Sequence, residues 1–114
     1  MKKIKIARIY EYNGSEYKIL IDRMWPRGIK KEKIDLWFKE ISPSLNIIKK
    51  YHQTDDYEEF KKEYINELQS NNLKVNELLN LINTKDCILL YSSKREKNNG
   101  TILNEYLGKI LNWE

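Results

Sequence analysis

Three segments of the chain have the apolar patterns of β-strands. The first spans about residues 3–10 and the second spans residues 17–24, each with strand-like alternation of apolar and polar positions. Asn13-Gly14 between them is a strong turn signal, so we expect these two strands to form a hairpin-like or adjacent pair. The third segment, Cys87–Tyr91, is a short continuous apolar run, which is typical of a strand buried at the centre of a sheet.

Apolar residues that recur every three or four positions predict helices over most of the remaining chain. Ser42-Pro43 has the form of an N-cap followed by proline at the first helical position, and Thr54-Asp55-Asp56 has the form of a second helix start. The apolar stripes are Ile34, Trp37, Phe38 and Ile41; Leu45, Ile48 and Tyr51; Tyr57, Phe60, Tyr64 and Leu68; Val75, Leu78, Leu79 and Ile82; and Ile102, Leu103, Tyr106, Leu107, Ile110 and Leu111. Each stripe predicts one helical segment.

The predicted elements follow the order strand, strand, four helical segments, strand and helix, which indicates the α/β class. We expect a small, mostly parallel sheet of about three strands, packed with about five helices. The length of 114 residues suits one compact domain, which we place at residues 1–114. A chain of this length also buries a core without the help of disulfides.

The composition limits the cellular compartment and the classes of partner that we expect for this protein. One cysteine, Cys87, excludes an internal disulfide and fits a reducing compartment. No apolar run approaches the roughly 18 residues that span a bilayer, and no signal-peptide pattern follows Met1. The 21 Lys and Arg residues exceed the 17 Asp and Glu residues, but the charges are interspersed rather than gathered on one face. We expect a cytoplasmic protein without membrane contact, for which nucleic acid is the less favoured partner.

Two polar loops follow predicted strands, and each carries groups that bind anions. The first is Asp22-Arg23-Met24-Trp25-Pro26-Arg27-Gly28, and the second covers residues 92–100. Ligands in open α/β sheets bind at the carboxyl ends of the strands, so we expect the two loops to meet in space. Arg23, Arg27 and Lys94 would then surround one anionic group, since guanidinium groups bind planar anions through paired hydrogen bonds.

Further polar side chains complete the candidate site. Ser92 would add a hydroxyl donor, Asn98 would orient a polar group of the ligand, and the N–H groups at the helix start near Thr101 would favour an anion. If the site is catalytic, Asp22 and His52 are the candidates for proton transfer. Histidine is the side chain whose unperturbed pKa lies near neutrality. These roles predict a small anionic ligand, such as a phosphorylated small molecule or a nucleotide.

A structural interpretation is open for the same side chains. Arg23 and Arg27 would pair with carboxylates such as Asp22 or Glu40, or with the carboxyl ends of helices. Trp25 would stack on a ligand ring in one interpretation and pack in the core in the other.

The remaining candidates also have two interpretations. His52, near the end of its predicted helix, would equally interact with the helix dipole, and Cys87 is interpreted as a small buried side chain rather than a nucleophile. No P-loop, dinucleotide fingerprint, metal-ligand cluster or nucleophile elbow is present, so we expect neither a cofactor nor a metal. Three function classes stay open: an enzyme, a non-catalytic ligand- or protein-interaction module, and a nucleic-acid accessory protein.

The first loop and the strand before it resemble a known family. Ile21-Asp22-Arg23-Met24-Trp25-Pro26-Arg27-Gly28 is similar to the V-D-R-L-W-P-R-G string of YeaO-like proteins, the domain of unknown function 488. Further similarity lies in residues 39–44, at His52, in Glu59-Phe60 and in residues 89–94, so the resemblance covers almost the whole chain. It implies a compact α/β domain in a family without an established activity.

The chain departs from the family pattern at two places near the candidate site. His52 is followed by Gln53-Thr54, where members often have Asp-Pro. Asn99-Gly100 stands where members often have His-Ala. The resemblance therefore implies that a second histidine for proton transfer is missing from this chain.

Overall fold

The structure, a computed structural model, describes residues 4–111, so the beginning of the first predicted strand at residue 3 lies outside the described residues. The strands are β1 (Ile6–Arg8), β2 (Tyr17–Leu20), β3 (Leu36–Trp37) and β4 (Cys87–Tyr91), and the α-helices are α1 (Leu45–Thr54), α2 (Tyr57–Gln69), α3 (Asn72–Thr84) and α4 (Asn99–Leu111). Short 3-10 helices cover Ile9–Glu11, Lys31–Lys33 and Lys39–Ile41. The predicted α/β class is confirmed, although residues 4–111 contain four strands rather than three and four α-helices rather than five.

The four strands form one parallel sheet in the order β1-β4-β2-β3. The predicted pairing of the first two strands is wrong, because β4 lies between them and pairs with both. Residues 9–16, which include the Asn13-Gly14 turn, instead cross from one side of β4 to the other. The central place of β4 follows from its apolar residues on both faces, which are buried only when both faces are covered.

The predicted helix over residues 34–41 is also wrong. Leu36 and Trp37 pair with Ile19 and Leu20 of β2 and form the edge strand β3. The backbone N–H of Phe38 donates to the carbonyl oxygen of Leu20 over 2.9 Å. These sheet bonds use backbone groups that a helix would have bonded internally, and they send neighbouring apolar side chains to opposite faces of the sheet.

The boundaries of three helices differ from the predicted ones. Helix α1 begins at Leu45 after Ser44, rather than after Ser42. Asp56 is the N-cap of α2, since its carboxylate accepts from the N–H of Glu59 over 3.2 Å. Asp55 adopts the left-handed conformation, with φ of 57°, and ends α1. Helix α4 begins at Asn99, two residues before the predicted start.

The two faces of the sheet are covered differently. The helices cover one face, and the predicted stripes of α2, α3 and α4 supply most of that core. Its most deeply buried members are Ile19, Ile21, Ile41, Tyr64, Leu68, Leu78, Leu89, Ile102, Leu103 and Leu107. Loop segments cover the other face, where Trp25 and Trp37 pack against Leu20 and Leu90. None of the helices in residues 4–111 is long and apolar enough to cross a membrane.

Candidate functional site

The loops after β2 and β4 meet at the carboxyl edge of the sheet. Asp22 follows β2 closely, and Ser92 comes directly after β4. One carboxylate oxygen of Asp22, Oδ2, accepts from the backbone N–H of Ser92 over 3.0 Å and from its hydroxyl over 2.6 Å. The expected meeting of the two loops is therefore present, and a carboxylate rather than a cation lies at its centre.

The second oxygen of Asp22 binds the start of α4. The side-chain amide of Asn99 donates to Asp22 Oδ1 over 3.1 Å and to the carbonyl oxygen of Ile21 over 3.1 Å. Burial raises the pKa of the Asp22 carboxyl, while the hydrogen bonds from Ser92 and Asn99 oppose that rise. Asn99 was not predicted as a site residue, and the only signal for it was its departure from the family pattern.

A cleft of about 280 Å³ opens beside Asp22. Its wall is mostly apolar, and the polar side chains on it come from both loops and from α1. The lining residues are Asp22, Arg23, Met24, Pro43, Leu45, Ile48, Tyr51, His52, Phe60, Ser92, Ser93, Arg95, Asn98 and Asn99. The cleft therefore brings together five of the predicted site residues, namely Asp22, Arg23, His52, Ser92 and Asn98.

Arg23 is half-buried beside this cleft, and backbone carbonyls hold part of its guanidinium group. Its Nε donates to the carbonyl oxygen of Pro43 over 3.2 Å, and its Nη2 donates to that of Ser42 over 3.2 Å. Within residues 4–111, no carboxylate forms an ion pair with Arg23, and its Nη1 has no hydrogen-bond partner. Bonding within the protein, the structural interpretation of Arg23, thus accounts for Nε and Nη2 but not for Nη1.

Arg95 supplies a second guanidinium group to the cleft. It lies over the ring of Tyr51, with 4.6 Å from its Cζ to the ring centroid, and forms an ion pair with Asp55. Hydrogen bonding to Tyr51 and to Asp55, and then the charge of Asp55, raise the pKa of Arg95, which remains a cation. Sequence reasoning missed Arg95, because nothing in the run from Lys94 to Lys97 indicates which side chain turns towards the cleft.

Three predicted site residues lie outside the cleft. Arg27 is exposed, and its carbonyl oxygen accepts from the hydroxyl of Tyr10 over 2.7 Å. Lys94 is exposed as well. Trp25 packs edge-to-face on Trp37 with 5.2 Å between ring centroids, on the face of the sheet covered by loops. The predicted trio of cations around one anion is therefore not assembled, and only Arg23 of the three lines the cleft.

Asn98 and His52 line the cleft in different ways. Asn98 is buried and caps α4, because its Oδ1 accepts from the N–H of Thr101 over 3.0 Å and its Nδ2 donates to the carbonyl oxygen of Arg95 over 2.7 Å. The N–H of Thr101, predicted to attract an anion, is thus already bonded. His52 is exposed at the rim, in the last turn of α1.

A metal site does not form within the described part of the chain. No three or more His, Cys, Asp or Glu side chains in residues 4–111 lie close enough together to hold a metal ion. The cleft therefore offers one half-buried carboxylate, two guanidinium groups, hydroxyl and amide groups, and an apolar wall.

Comparisons with known proteins show one family over almost the whole chain. The family model DUF488-N3i, described as the inactive DUF488-N3 subclade, matches residues 3–114. The chain is 36% identical over 113 residues to the uncharacterized protein YeaO of Escherichia coli (strain K12), covering 94% of this chain and 98% of YeaO. No solved structure matches the chain. The chain belongs to the DUF488 family of YeaO-like proteins and, within it, to the subclade described as inactive.

Proposed function

We propose that this protein is a non-catalytic binding protein whose cleft takes a small anionic molecule, such as a phosphorylated small molecule or a nucleotide. The observation that carries the proposal is the state of Arg23, a half-buried guanidinium group without a carboxylate partner in the described chain. The unbonded end of this guanidinium group is not fully buried, so an anion in the cleft can reach it and form a charge-assisted hydrogen bond. Its Nη1 is the donor left for that anion.

The rest of the cleft supports the same class of ligand. Arg95 adds a second cation, and Met24, Leu45 and Ile48 supply an apolar wall. A cleft of about 280 Å³ lies just below the roughly 300–1,000 Å³ typical of small-molecule sites, so the ligand is small. The expected ligand therefore combines one anionic group with one compact apolar or aromatic body.

Binding without catalysis is favoured over an enzymatic role by the residue that contacts Asp22. Family resemblance puts a histidine at the position of Asn99, and here an amide donates to the Asp22 carboxylate instead. An imidazole beside a carboxylate accepts and releases protons near neutrality, whereas an amide does not. The description of the family as an inactive subclade agrees with this change.

An enzyme is the alternative, and one observation favours it. Burial raises the pKa of Asp22 in a cleft, as is common for catalytic acids and bases. His52 would then be the second proton-transfer group, from its exposed position at the rim. Turnover of a phosphate ester that is lost in Asp22→Asn and in His52→Ala would support this alternative.

Titration with phenyl phosphate tests the proposed function, because this probe joins a phosphate to a compact apolar ring. We expect NMR shifts confined to the cleft residues and weaker binding by about tenfold in Arg95→Gln, the loss of one charge-assisted hydrogen bond. Lys94→Gln is the matched control, since it removes a neighbouring charge outside the cleft. Absence of any shift in the cleft with phenyl phosphate and with a mononucleotide would refute the proposal.

A further inference from the structure

We infer that the ligand of this cleft carries an N–H donor that binds the carboxylate of Asp22, in addition to the anionic group that binds Arg23 and Arg95. The inference rests on the proposed function and narrows it to one class of molecule. That class is an aromatic phosphate with an amino group, of about the size of a mononucleotide.

The first observation is the number of hydrogen bonds that the Asp22 carboxylate accepts. A carboxylate accepts about four hydrogen bonds, two at each oxygen. Oδ2 has two donors from Ser92, whereas Oδ1 has one donor, the amide of Asn99. One acceptor position on Oδ1 is therefore unfilled within the described chain, on a residue that lines the cleft.

Charge fixes which end of the ligand reaches Asp22. A phosphate next to this carboxylate would meet an equal charge at short range, and water is partly excluded there because Asp22 is half-buried. Arg23, which has no carboxylate partner in residues 4–111, and Arg95, whose ion pair with Asp55 is exposed to solvent, offer the anion a favourable place on the same cleft. The anionic end and the donor end of the ligand therefore bind different residues, which gives the ligand one orientation.

The aromatic residues of the cleft limit how the body of the ligand binds. Tyr51 stacks on Phe60 with 4.4 Å between ring centroids, and Arg95 covers the ring of Tyr51 as well. These contacts occupy the ring of Tyr51, so a ligand ring meets the aliphatic wall instead. Met24 is 66% exposed on that wall, and its thioether packs well against an aromatic ring.

One pair of nucleotides isolates the donor group in the unmodified protein. Adenosine monophosphate and purine riboside monophosphate differ only in the exocyclic amino group. A hydrogen bond to a charged acceptor is worth about 1.5–3 kcal/mol, so we expect adenosine monophosphate to bind at least about tenfold more tightly. Calorimetry at equal ionic strength gives both dissociation constants.

The variant Asp22→Asn tests whether Asp22 causes the difference in affinity between the two nucleotides. In Asp22→Asn, the two donors of Ser92 require an oxygen at the former Oδ2, so the new amide nitrogen takes the place of Oδ1. This nitrogen is a donor, so it accepts neither from the ligand nor from Asn99, and the preference for adenosine monophosphate should disappear. Lys94→Gln should keep the wild-type ratio, and if Asp22→Asn does not fold, the ratio in the wild-type protein alone decides.

The outcomes separate this inference from the proposed function. Equal binding of the two nucleotides to the wild-type protein, or failure of both while phenyl phosphate binds, overturns the inference and leaves the proposed function standing. Failure of all three probes overturns both. A ratio of tenfold or more that Asp22→Asn abolishes supports the inference.

Discussion

Asp22 holds three parts of the molecule together at the edge of the sheet. Its carboxylate binds Ser92 after β4 and Asn99 at the start of α4, and its carbonyl oxygen accepts from the indole N–H of Trp37 over 2.8 Å. Two effects act on its protonation in opposite directions. Burial favours the neutral acid, whereas the three donated hydrogen bonds favour the carboxylate, and burial is the larger effect.

We therefore predict that the carboxyl of Asp22 titrates above the ordinary value of 3.8. A carbon-detected NMR titration of the side-chain carboxyl measures this pKa directly. Ser92→Ala removes one donor, so its Asp22 pKa should lie higher still. A midpoint at or below 3.8 in the wild-type protein would mean that the hydrogen bonds outweigh burial.

The same shift predicts a dependence of stability on pH. Because the pKa is higher in the folded state, the folded protein binds more protons between the unfolded and the folded pKa. At a pH below the pKa of Asp22 in the unfolded chain, its contribution to the free energy of unfolding is therefore fully present. This contribution falls as the pH rises through the pKa of Asp22 in the folded protein. Asp22→Asn lacks this titration, so wild type should lose stability relative to the variant as pH rises from about 3 to 7 in urea unfolding. A difference that grows in the other direction would contradict the raised pKa.

At the scale of elements, Asn98 sets the start of α4. Its side chain is 3% exposed and satisfies both the N–H of Thr101 and the carbonyl oxygen of Arg95. We predict that Asn98→Ala lowers the free energy of unfolding by about 1–2 kcal/mol, the usual range for losing a buried N-cap. Glu96→Ala in the same loop is the control, since that side chain is exposed and should leave stability within about 0.5 kcal/mol. Equal stability of the two variants would show that α4 does not depend on this cap.

The loop after β2 contains two arginines with different environments. Arg23 bonds two backbone carbonyls ahead of α1, while Arg27 is exposed. We predict that Arg23→Lys lowers the free energy of unfolding by about 1–2 kcal/mol, because an ammonium group cannot reproduce the fork of the guanidinium group. Arg27→Lys should change neither stability nor the affinity for phenyl phosphate. A loss of affinity in Arg27→Lys would return Arg27 to the binding site.

The elements that could be predicted are those that the local pattern determines. The continuous apolar run of β4 requires burial on both faces, and the stripe of α2 requires a helix, so both were predicted closely. Residues 34–41 were misassigned because apolar positions three or four apart also suit a strand followed by a 3-10 turn, and only pairing with β2 decides. The candidate site could be predicted only in part for a similar reason. The sequence located both loops, but it did not show which side chains turn towards the cleft. Arg23 and Arg95 line the cleft, whereas Arg27 and Lys94 lie outside it.

At the scale of the whole molecule, the sheet has helices on one face and loops on the other. β4 is in the middle of this arrangement, with β1 on one side and β2 on the other. A group at the start of β4 is therefore covered by parts of the chain that are far apart in sequence. Cys87 is such a group, since it is 8% exposed and its Sγ lies 3.3 Å from the carbonyl oxygen of Leu81 in α3.

We predict that the thiol of Cys87 reacts with a thiol reagent only when the structure around β4 opens. If opening costs about 4 kcal/mol, labelling should be about a thousandfold slower than for an exposed cysteine, since each 1.4 kcal/mol is a factor of ten. The exposed reference is Ser70→Cys in a Cys87→Ala background, at the end of α2. Low concentrations of urea should accelerate the labelling of Cys87 and leave the reference rate unchanged, because denaturant lowers the free energy of opening in proportion to the surface exposed. Equal rates in native buffer would show that Cys87 is accessible without opening of the sheet, and the packing of α3 against the start of β4 would then be looser than the structure describes.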